Sequence, residues 1–549
     1  MRSYQGNARV LHAILDDQAG RLGEKVFATS ARASLSYGAL AERSARMAHA
    51  LMHRLGIGRG DKVAVLLPNC LDYLVVQFAI SRVGAVMVPV NVLAQRELLR
   101  HYLVQSDARV LVADAAFLSA VAEIGERIGA LETLVVHSGG VEEDEGNEGA
   151  GTDAAALGHR FRLIPYAELL AGDGMVFAAA AVSWTDPVDI FYTSGTTGVS
   201  KGVVLPHNHH YVFGCTIALA GRLGDDEVMY ISLPLYHGAG SYMSIMPMLL
   251  CGGSVAIAAQ FSARSWLDDI RRFGATTTWA VSTIAPILMK QPPRPDDAET
   301  PLRVYFYIGM PAGLVAPFEA RFGVKAIDSY GSTEQGHLAY AAWDERRPGS
   351  AGPINTAYYE VKIVDENDVE VPVGQVGECV SRSREPFIQM TEYYRMPEET
   401  LRAARNRWLH SGDLCRVDAD GWIYFLGRGK DTIRKGGENI SCYELETMIG
   451  AHEGVLECAA VAVPAELGED EIKVVVALRA GVALSFAAFA AFCEASLPRY
   501  MVPRFVEFVA EIPKLGNQKI DKERLKRDGL TRATWDRVRG ALLGMGVGP

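Results

Sequence analysis

The chain of 549 residues is 49% hydrophobic and 22% charged, which is the composition of a globular protein in water. Its length exceeds what one hydrophobic core usually organises, so we expect two or more domains. The net charge of −11 argues against a nucleic-acid-binding protein, because neutralising phosphates requires a basic surface.

Eight cysteines are scattered along the chain without a Cys-x-x-Cys pair. This pattern indicates reduced, mostly buried thiols in a cytoplasmic protein, rather than a disulfide framework or a zinc site. The N-terminal stretch MRSYQGNARVLHAIL has no long apolar segment, and the final GMGVGP matches no short retention or peroxisomal signal. We therefore expect neither a secretory leader nor an organelle address.

Short apolar, β-branched segments alternate with amphipathic ones in the first half of the chain. Strands are predicted at KVAVLLP (62–68), VMVPV (86–90), RVLVAD (109–114) and LETLVV (131–136). The helix predicted after the first of them has one apolar face, formed by Leu71, Leu74, Val75 and Phe78. Regular alternation of strand and helix predicts a parallel sheet with helices on both faces.

The stretch from Ser241 to Ala259 contains no charged residue. It is long enough to suggest a membrane span, but Pro247 and the pair Gly252-Gly253 are expected to break it before the β-like SVAIAA. We therefore predict a buried helix followed by a buried strand.

Two loops and a change of pattern divide the rest of the chain. GGVEEDEGNEGAG (139–151) and QPPRPDDAETP (291–301) are predicted loops. From about residue 358 the sequence alternates apolar and polar residues, and CRVDADGWIYFLG predicts a hairpin at Asp420-Gly421. A smaller α/β segment follows, so we predict an N-terminal domain of residues 1–428 and a C-terminal domain of residues 429–549.

The stretch FYTSGTTGVSKG (191–202) places small hydroxyl side chains and glycines before Lys201. DPVDIFY (186–192) predicts a strand entering this loop, and KGVVLP (201–206) a strand leaving it. Backbone amides freed by glycine, hydroxyl donors and one ammonium suit a polyphosphate. The spacing is not that of a P-loop, and a lone glycine-rich loop is more often a polar surface turn. The loop by itself therefore does not define the function.

The complete string YTSGTTGVSKG (192–202) closely resembles the signature loop of the adenylate-forming superfamily: acyl-CoA synthetases, adenylation domains of peptide synthetases and beetle luciferases. Ser200 stands where the family usually has proline, which makes the turn more flexible without removing a ligand group. The resemblance implies that ATP is bound by Thr193, Ser194, Gly195, Thr196, Thr197, Gly198 and Lys201.

The segment DSYGSTEQG (328–336) resembles the second nucleotide motif of the family. The resemblance implies that the Tyr330 ring lies against adenine, the Thr333 hydroxyl contacts the α-phosphate and Glu334 binds Mg²⁺. A carboxylate oxygen is a suitable ligand for this cation, which draws charge off the leaving pyrophosphate. The other nucleotide-binding residues implied here are Asp328, Ser329, Gly331 and Ser332.

Two further motifs resemble the ribose-binding part of the family. WLHSGDL (408–414) implies that Asp413 accepts hydrogen bonds from both ribose hydroxyls, and GRGKD (427–431) implies a ribose contact for Arg428. Each motif alone could be a turn or a surface ion pair. Four motifs in family order over most of the chain make the resemblance specific.

ISLPLYHGAGSY (231–242) resembles the segment that lines the acyl pocket, which implies Tyr236, His237 and Gly238 as pocket residues. We expect His237 to line the pocket rather than act as a general base, because a carboxylate substrate is already ionised near neutral pH. The segment has no aspartate for an α-ammonium group, which disfavours amino-acid substrates. YIGMPAG (307–313) resembles the strand end that borders adenine and the acyl group, with Gly309 and Met310 closest.

The closing segment PKLGNQKID (513–521) resembles the last family motif. The resemblance implies that Lys519 bridges the carboxylate and the α-phosphate and stabilises charge on the phosphate oxygens. Gln518 stands where the family has glycine. Without the other motifs, a lysine in the basic run KIDKERLKR would be assigned to a solvated helix face.

RKGGENISCYELE (434–446) resembles acyl-CoA synthetases more than peptide-synthetase domains, as does the PVN of MVPVNV (87–92). The resemblance implies a CoA site at Lys435, Gly436 and Gly437, where paired glycines let the backbone pass close to a pantetheine arm. A plain turn between strand and helix is the alternative. In the family the small domain rotates about one hinge residue between the half-reactions, and that position is Lys430.

These resemblances imply an α/β protein: a large N-terminal domain of mostly parallel sheets layered with helices, a β-rich subdomain and a small mobile C-terminal α/β domain. The predicted function is an AMP-forming acyl-CoA ligase that uses ATP, Mg²⁺ and coenzyme A. It forms acyl-AMP and pyrophosphate from a carboxylic acid, then transfers the acyl group to the CoA thiol. We expect no nucleic-acid partner and no membrane span, and the resemblance allows a homodimer.

Other functions stay open on the sequence. An enzyme that loads a separate acyl-carrier protein would form acyl-AMP readily but depend little on CoA. A non-catalytic nucleotide-binding protein on the same fold would bind ATP without releasing pyrophosphate with any acid, and luciferase-type oxidation ranks last. The acid also stays open among medium or branched apolar, aryl and polar acids such as a betaine.

Overall fold

The computed structural model describes residues 1–94, 96–124, 128–138, 157–171, 179–193, 200–281, 284–341, 343–428, 432–435, 438–464, 470–497, 501–515 and 519–544. The chain divides into two compact units. The first unit comprises Met1–Val361, Val380–Ser411 and Asp420–Ile423, and the second comprises Lys362–Cys379, Gly412–Ala419 and Tyr424–Pro549. A domain boundary between residues 428 and 429 stays a prediction, and the predicted acidic loop 139–151 lies outside the described residues.

The elements are numbered here in chain order. The α-helices are α1 Leu11–Leu22, α2 Tyr37–His53, α3 Leu71–Val83, α4 Arg96–Gln105, α5 Leu118–Glu123, α6 Tyr166–Leu170, α7 His207–Ala220, α8 Tyr242–Cys251, α9 Trp266–Phe273, α10 Ile284–Met289, α11 Ala312–Phe322, α12 Pro397–Ala403, α13 Cys442–Gly450, α14 Phe486–Ser496 and α15 Lys522–Asp528. Short 3₁₀ helices lie at Gly6–Arg9, Ala115–Phe117 and Arg405–Arg407.

The strands are β1 Val26–Thr29, β2 Ser34–Ser36, β3 Lys62–Leu66, β4 Val86–Pro89, β5 Val110–Asp114, β6 Thr133–His137, β7 Arg162–Pro165, β8 Pro187–Thr193, β9 Lys201–Pro206, β10 Val228–Ile231, β11 Ser254–Ile257, β12 Thr277–Val281, β13 Val304–Ile308, β14 Lys325–Ser332, β15 Gly336–Tyr340, β16 Gly352–Pro353, β17 Tyr359–Val364, β18 Gly377–Ser383, β19 Glu392–Tyr393, β20 Leu409–Val417, β21 Trp422–Arg428, β22 Thr432–Lys435, β23 Glu438–Ser441, β24 Val455–Pro464, β25 Asp470–Leu478, β26 Phe505–Val509, β27 Trp535–Asp536 and β28 Ala541–Leu542.

The first sheet has the strand order β19-β9-β8-β4-β3-β5-β6-β7. Its strands from β8 to β7 pair in parallel, which requires crossover connections such as the buried helix α3. At one edge β9 and β19 run antiparallel. The strands predicted in the first half are confirmed as β3, β4, β5 and β6, and the predicted helix after the first of them is α3.

The second sheet has the strand order β15-β14-β13-β12-β10-β11-β1-β2. It is parallel from β14 to β1, and its edge strands β15 and β2 are antiparallel to their neighbours. The two sheets are therefore mainly parallel, with antiparallel strands where each sheet ends. Ligands of open α/β sheets bind beyond the carboxyl ends of parallel strands, so a ligand is expected at the ends of β8 and β14.

Two neighbouring helices, α7 and α8, are buried almost throughout and pack against each other. Gly214 permits their close approach, because a Cβ there would lie 2.4 Å from Cγ of Met246. The uncharged stretch forms the predicted buried helix and strand, α8 and β11. The prediction that Pro247 breaks the helix is wrong: Pro247 lies inside α8, which ends at Gly252 with a φ of 81°. A proline removes one helical hydrogen bond, and the complete burial of α8 offsets that loss.

A third sheet has the strand order β16-β21-β20-β18-β17. Its neighbours β20 and β21 are joined through Asp420-Gly421, which confirms the predicted hairpin. The second unit contains the antiparallel strands β22 and β23 and a sheet of order β24-β25-β26-β27-β28. Buried side chains of α13, α14 and these strands form its core, so the predicted α/β fold class is confirmed. In the part of the chain that the structure describes, no helix is long and apolar enough to cross a membrane.

Candidate active site

The predicted phosphate loop joins two paired strands of the first sheet. β8 ends at Thr193 and β9 begins at Lys201, and these residues form the last pair of the antiparallel ladder. The two predicted strands are therefore confirmed, and their ladder fixes the Thr193 hydroxyl and the Lys201 ammonium at the strand ends that flank the predicted loop. The remaining predicted loop residues lie outside the described residues: Ser194, Gly195, Thr196, Thr197 and Gly198.

The turn that carries Thr333 and Glu334 joins β14 to β15. The strands approach closely at Gly331, where a Cβ would lie 2.0 Å from the carbonyl oxygen of Gly336, so a larger residue would push them apart. The turn is closed by Ser332, whose hydroxyl accepts a hydrogen bond from the N–H of Gln335 at 3.1 Å. Thr333 and Glu334 are half-buried.

Glu334 brings the first two nucleotide motifs together. Its Oε1 accepts a hydrogen bond from the Thr193 hydroxyl at 3.3 Å. The two residues are far apart in sequence, and the ends of β8 and β14 bring them into contact. The structure therefore groups the predicted metal ligand with the start of the predicted phosphate loop.

Tyr393, on β19, is a site residue that sequence analysis did not identify. Its hydroxyl donates to Oε1 of Glu334 at 3.2 Å. The segment is held beside the turn because the N–H of Met390 donates to the Glu334 carbonyl at 2.8 Å and β19 pairs with β9. The stretch TEYYRMPEET (391–400) offers only a mixture of aromatic and acidic residues as a signal.

Lys201 has an anionic partner, Glu399 in α12. Its ammonium forms an ion pair with the Glu399 carboxylate and lies 4.8 Å from the centroid of the Tyr393 ring. The hydrogen bond from Lys201 is the largest cause that lowers the pKa of Glu399. Thr193, Lys201, Glu334, Tyr393 and Glu399 are therefore connected, and we call them the Lys201–Glu334 cluster.

A divalent cation would find oxygen ligands in this cluster. Carboxylate and hydroxyl oxygens such as those of Glu334 and Thr193 are the donors that Mg²⁺ prefers. Among the described residues, no group of three or more His, Cys, Asp or Glu side chains could hold a metal by itself. The residues therefore fit a cation held by one carboxylate together with substrate phosphates, which is a common arrangement for Mg²⁺.

The residues predicted to border adenine meet at adjacent strand ends of the second sheet. Asp328 on β14 lies opposite Tyr307 on β13, and Gly309 follows with a φ of 73°, which favours glycine. Burial raises the pKa of Asp328 to about 8, against hydrogen bonds from the backbone of Ser329 and Gly309 that lower it. Tyr330 and Met310 are both buried.

The predicted acyl segment leads into the buried helix α8. Tyr236 is buried, and its ring centroid lies 4.7 Å from that of His237. A Cβ on Gly238 would lie 2.7 Å from the hydroxyl of Tyr242. Glycine at this position therefore lets the Tyr242 side chain come against the acyl segment.

Tyr242 links the acyl segment to the nucleotide motifs. Burial raises its pKa, the Glu334 carboxylate raises it further, and a hydrogen bond with Thr333 opposes both. Its ring stacks on His210 with centroids 4.4 Å apart, and Nε2 of His210 lies 3.2 Å from the Asp189 carboxylate. Burial lowers the pKa of His210 and raises that of Asp189, which favours the uncharged form of both. The Tyr242 ring, which contacts both motifs, therefore lies against buried groups that favour their uncharged forms.

The predicted ribose residues lie in the second unit. Asp413 is buried on β20, next to Gly412, whose N–H donates to Glu378 at 2.9 Å. Arg428 is the last residue of β21, and its side chain lies outside the description. Their contact with ribose stays a prediction.

The predicted CoA, hinge and closing residues also belong to the second unit. Lys435, at the end of β22, forms an ion pair with Glu471 at 2.9 Å. Lys519 is exposed, and its carbonyl accepts the N–H of Leu515 at 2.7 Å beside an antiparallel bridge between Lys514 and Ile520. It precedes α15, so it is not part of a helix face. The predicted residues outside the description are Lys430, Gly436 and Gly437.

The fold and these sites define an AMP-binding enzyme. Residues 15–394 match the AMP-binding enzyme family, and residues 444–519 match the AMP-binding enzyme C-terminal domain. The chain belongs to this family, which confirms the resemblance to adenylate-forming enzymes.

The relatives of the chain include several CoA ligases. Crotonobetaine/carnitine–CoA ligase of Salmonella typhi is 32% identical over 527 residues, which are 94% of this chain and 98% of that protein. ATP-bound MatB from Rhodopseudomonas palustris has a TM-score of 0.82 at 26% identity, over 94% of this chain and 98% of MatB. A benzoate CoA ligase from Burkholderia xenovorans LB400 shares the fold, with a TM-score of 0.81 at 23% identity over 94% of this chain and 99% of that one.

These findings confirm the predicted activity. The chain is an ATP-dependent acyl-CoA ligase of the AMP-forming, acid–thiol type. Its substrates are a small-molecule acid, ATP and CoA, and Mg²⁺ is general for the family.

Proposed function

We propose that the Lys201–Glu334 cluster carries the ATP half-reaction. One observation supports this most directly: the hydroxyls of Thr193 and Tyr393 both donate to Oε1 of Glu334, and the Lys201 ammonium lies against the Tyr393 ring. A carboxylate for a cation and an ammonium for phosphate are thus held by one connected set of side chains. Transfer of an adenylyl group needs this combination, because for substitution at phosphorus the protein contributes mainly position and charge.

The first half-reaction joins the acid to the α-phosphate. A carboxylate oxygen of the acid attacks the α-phosphorus, and the bond to the bridging oxygen of the leaving pyrophosphate breaks. We assign the Thr333 hydroxyl and the Lys519 ammonium to the α-phosphate oxygens, and Lys201 to the pyrophosphate, where they would stabilise developing charge. Glu334 would hold Mg²⁺, which neutralises phosphate charge when bound.

The nucleoside is assigned to residues at the strand ends. Gly309, Met310, Asp328, Ser329, Tyr330, Gly331 and Ser332 are the proposed adenine side, and Asp413 and Arg428 the proposed ribose side. The juxtaposition of Asp328 with the backbone of Gly309 supports the first assignment. A protonated Asp328 can donate one hydrogen bond, whereas an ionised Asp328 can only accept. The raised pKa of Asp328 therefore affects whether this side chain donates to or accepts from the edge of the adenine base.

The second half-reaction makes the thioester. The CoA thiol loses its proton to solvent and attacks the acyl carbonyl carbon, the sulfur–carbon bond forms, and AMP leaves with the electron pair of the broken acyl–phosphate bond. Lys435, Gly436 and Gly437 are proposed for CoA, with Lys430 as the hinge between the half-reactions. Transfer to a separate acyl-carrier protein is the alternative acceptor.

The acid is proposed to be a short carboxylic acid with a polar or cationic end. Support comes from the relatives named crotonobetaine/carnitine–CoA ligase, which cover nearly the whole chain. The rings of Phe191, His209, His210 and Phe213 surround Tyr242 beside the acyl segment. Aromatic faces attract quaternary ammonium groups, so betaines are the first acids to assay, ahead of aryl and apolar ones.

Mass spectrometry of one reaction tests the proposal. The purified protein is incubated with ATP, Mg²⁺ and a mixture of betaine, aryl and short aliphatic acids, with and without CoA. An acyl-CoA that appears only with CoA would support the ligase and identify the acid. Acyl-AMP that persists after CoA addition would favour a carrier protein as the acceptor. If none of the acids causes release of pyrophosphate, the proposed acid class is contradicted.

Two further properties, the compartment and the oligomeric state, belong to the proposal. All eight cysteines are buried thiols, which suits a reducing compartment, and we propose the cytoplasm. A homodimer is proposed because it is common in the adenylate-forming superfamily. Fractionation of cells and light scattering of the purified protein test these two properties.

A further inference from the structure

Lys201, the proposed pyrophosphate ligand, has its charge balanced within the protein. Its side chain is 18% exposed and that of Glu399 is 22% exposed, and the two form an ion pair. The Tyr393 ring covers the ammonium from another side. A mostly buried ammonium requires such a partner, because an uncompensated charge in this environment is costly.

The position of Glu399 is fixed by the chain around it. Glu399 lies in the first turn of α12, where the helix dipole favours a carboxylate. The helix is tied to β19 because the N–H of Tyr393 donates to Oγ1 of Thr400 at 2.9 Å. Glu399 and the aromatic ring that covers Lys201 therefore belong to one small rigid segment, and β19 holds this segment beside β9.

We propose that Glu399 is an internal counter-ion of Lys201 that competes with the phosphates of ATP and pyrophosphate. The inference rests on the proposed role of Lys201. A phosphate chain that pairs with Lys201 must displace Glu399 or bind beside a second negative charge. Both raise the free energy of the bound state, so Glu399 weakens phosphate binding and speeds release of pyrophosphate.

Titration calorimetry of inorganic pyrophosphate, in the presence of Mg²⁺, tests this on the full-length protein. Glu399→Gln keeps the shape of the side chain and removes its charge. We expect it to bind pyrophosphate about fivefold more tightly, which corresponds to about 1 kcal/mol for a partly exposed ion pair. Glu398→Gln is the matched control, because it makes the same charge change at an exposed neighbouring position and should leave the affinity unchanged.

The following results would overturn the inference. If Glu399→Gln weakens pyrophosphate binding, the carboxylate orients Lys201 rather than competing for it. If Glu398→Gln tightens binding equally, the effect is only one of overall charge. Glu399→Asp keeps the charge but shortens the side chain, so it should tighten pyrophosphate binding by a smaller factor. An unchanged affinity of this variant for pyrophosphate would also count against competition.

The Lys201→Ala background separates this inference from the proposed function. Lys201→Ala should weaken pyrophosphate binding, and adding Glu399→Gln to it should then have no further effect. If Lys201→Ala leaves the affinity unchanged, the proposed role of Lys201 fails. If Lys201→Ala weakens binding while Glu399→Gln alone does not tighten it, only the counter-ion role fails.

Discussion

His137 lies between two carboxylates at the end of β6. Its Nδ1 is 2.9 Å from Oδ2 of Asp114 and its Nε2 is 3.3 Å from Oδ2 of Asp72, which also accepts the Tyr166 hydroxyl on Oδ1 at 2.8 Å. Burial lowers the pKa of His137, but hydrogen bonds to Asp114 and Asp72 and their charges outweigh it and raise the pKa to about 9. The folded protein therefore keeps the proton on His137 up to a higher pH than the unfolded chain does.

This proton contributes to the free energy of unfolding. Raising the pKa from 6.5 to about 9 corresponds to about 3 kcal/mol. Because the pKa is higher in the folded state, the contribution is fully present below pH 6.5 and is lost as the pH rises through about 9. The free energy of unfolding should therefore fall as the pH rises through this window, with a slope that corresponds to the release of one proton.

Urea unfolding at a series of pH values from about 6 to about 10 measures this effect. His137→Gln removes the titration, so wild type should lose about 3 kcal/mol more than the variant across the window. His159→Gln, at an exposed position, is the control and should follow wild type. Parallel pH dependence of wild type and His137→Gln would refute the reasoning.

Three substitutions in the proposed site give further tests. Lys519→Ala should slow acyl-AMP formation about 10²- to 10³-fold but spare thioester formation from supplied acyl-AMP, because it removes charge stabilisation only at the α-phosphate; equal loss of both half-reactions in single-turnover assays would contradict this. Glu334→Gln should raise the Mg²⁺ concentration needed for half-maximal turnover, and an unchanged magnesium titration would remove it from the metal site. Tyr393→Phe keeps the ring against Lys201 but loses the hydroxyl that donates to Glu334. It should therefore change the Mg²⁺ concentration needed for half-maximal turnover by about threefold and leave the KM for the acid unchanged; a change in that KM alone would be inconsistent with the position of Tyr393.

The parts of the fold that depend on local pattern could be predicted from the sequence. Strands β3 to β6 and β9 follow from short β-branched runs, and α3 follows from its apolar face. Pro247 shows where local rules fail, because the packing of α8 overrides the preference of a single residue. The order of strands in each sheet depends on contacts between distant segments, and no local pattern specifies it.

The candidate site divides in the same way. Thr193, Lys201 and Glu334 lie in glycine-rich strings whose composition indicates phosphate chemistry. Glu399 and Tyr393 join them from a segment with no such signal, since their role arises from the pairing of β19 with β9 about two hundred residues earlier in the chain. The acid could not be predicted, because the surroundings of the acyl segment depend on packing between distant residues, such as that of α7 against α8.

Tyr242 contacts Gly238 in the acyl segment and Thr333 in the second nucleotide motif, so one side chain belongs to both of the proposed binding sites. A ligand that fixes the orientation of the Tyr242 ring at one site changes the free energy with which the other ligand binds. Such coupling is reciprocal: the factor by which the acid alters the affinity for ATP is the factor by which ATP alters the affinity for the acid. The selectivity of the enzyme for its acid is therefore a property measured correctly only with the nucleotide site filled.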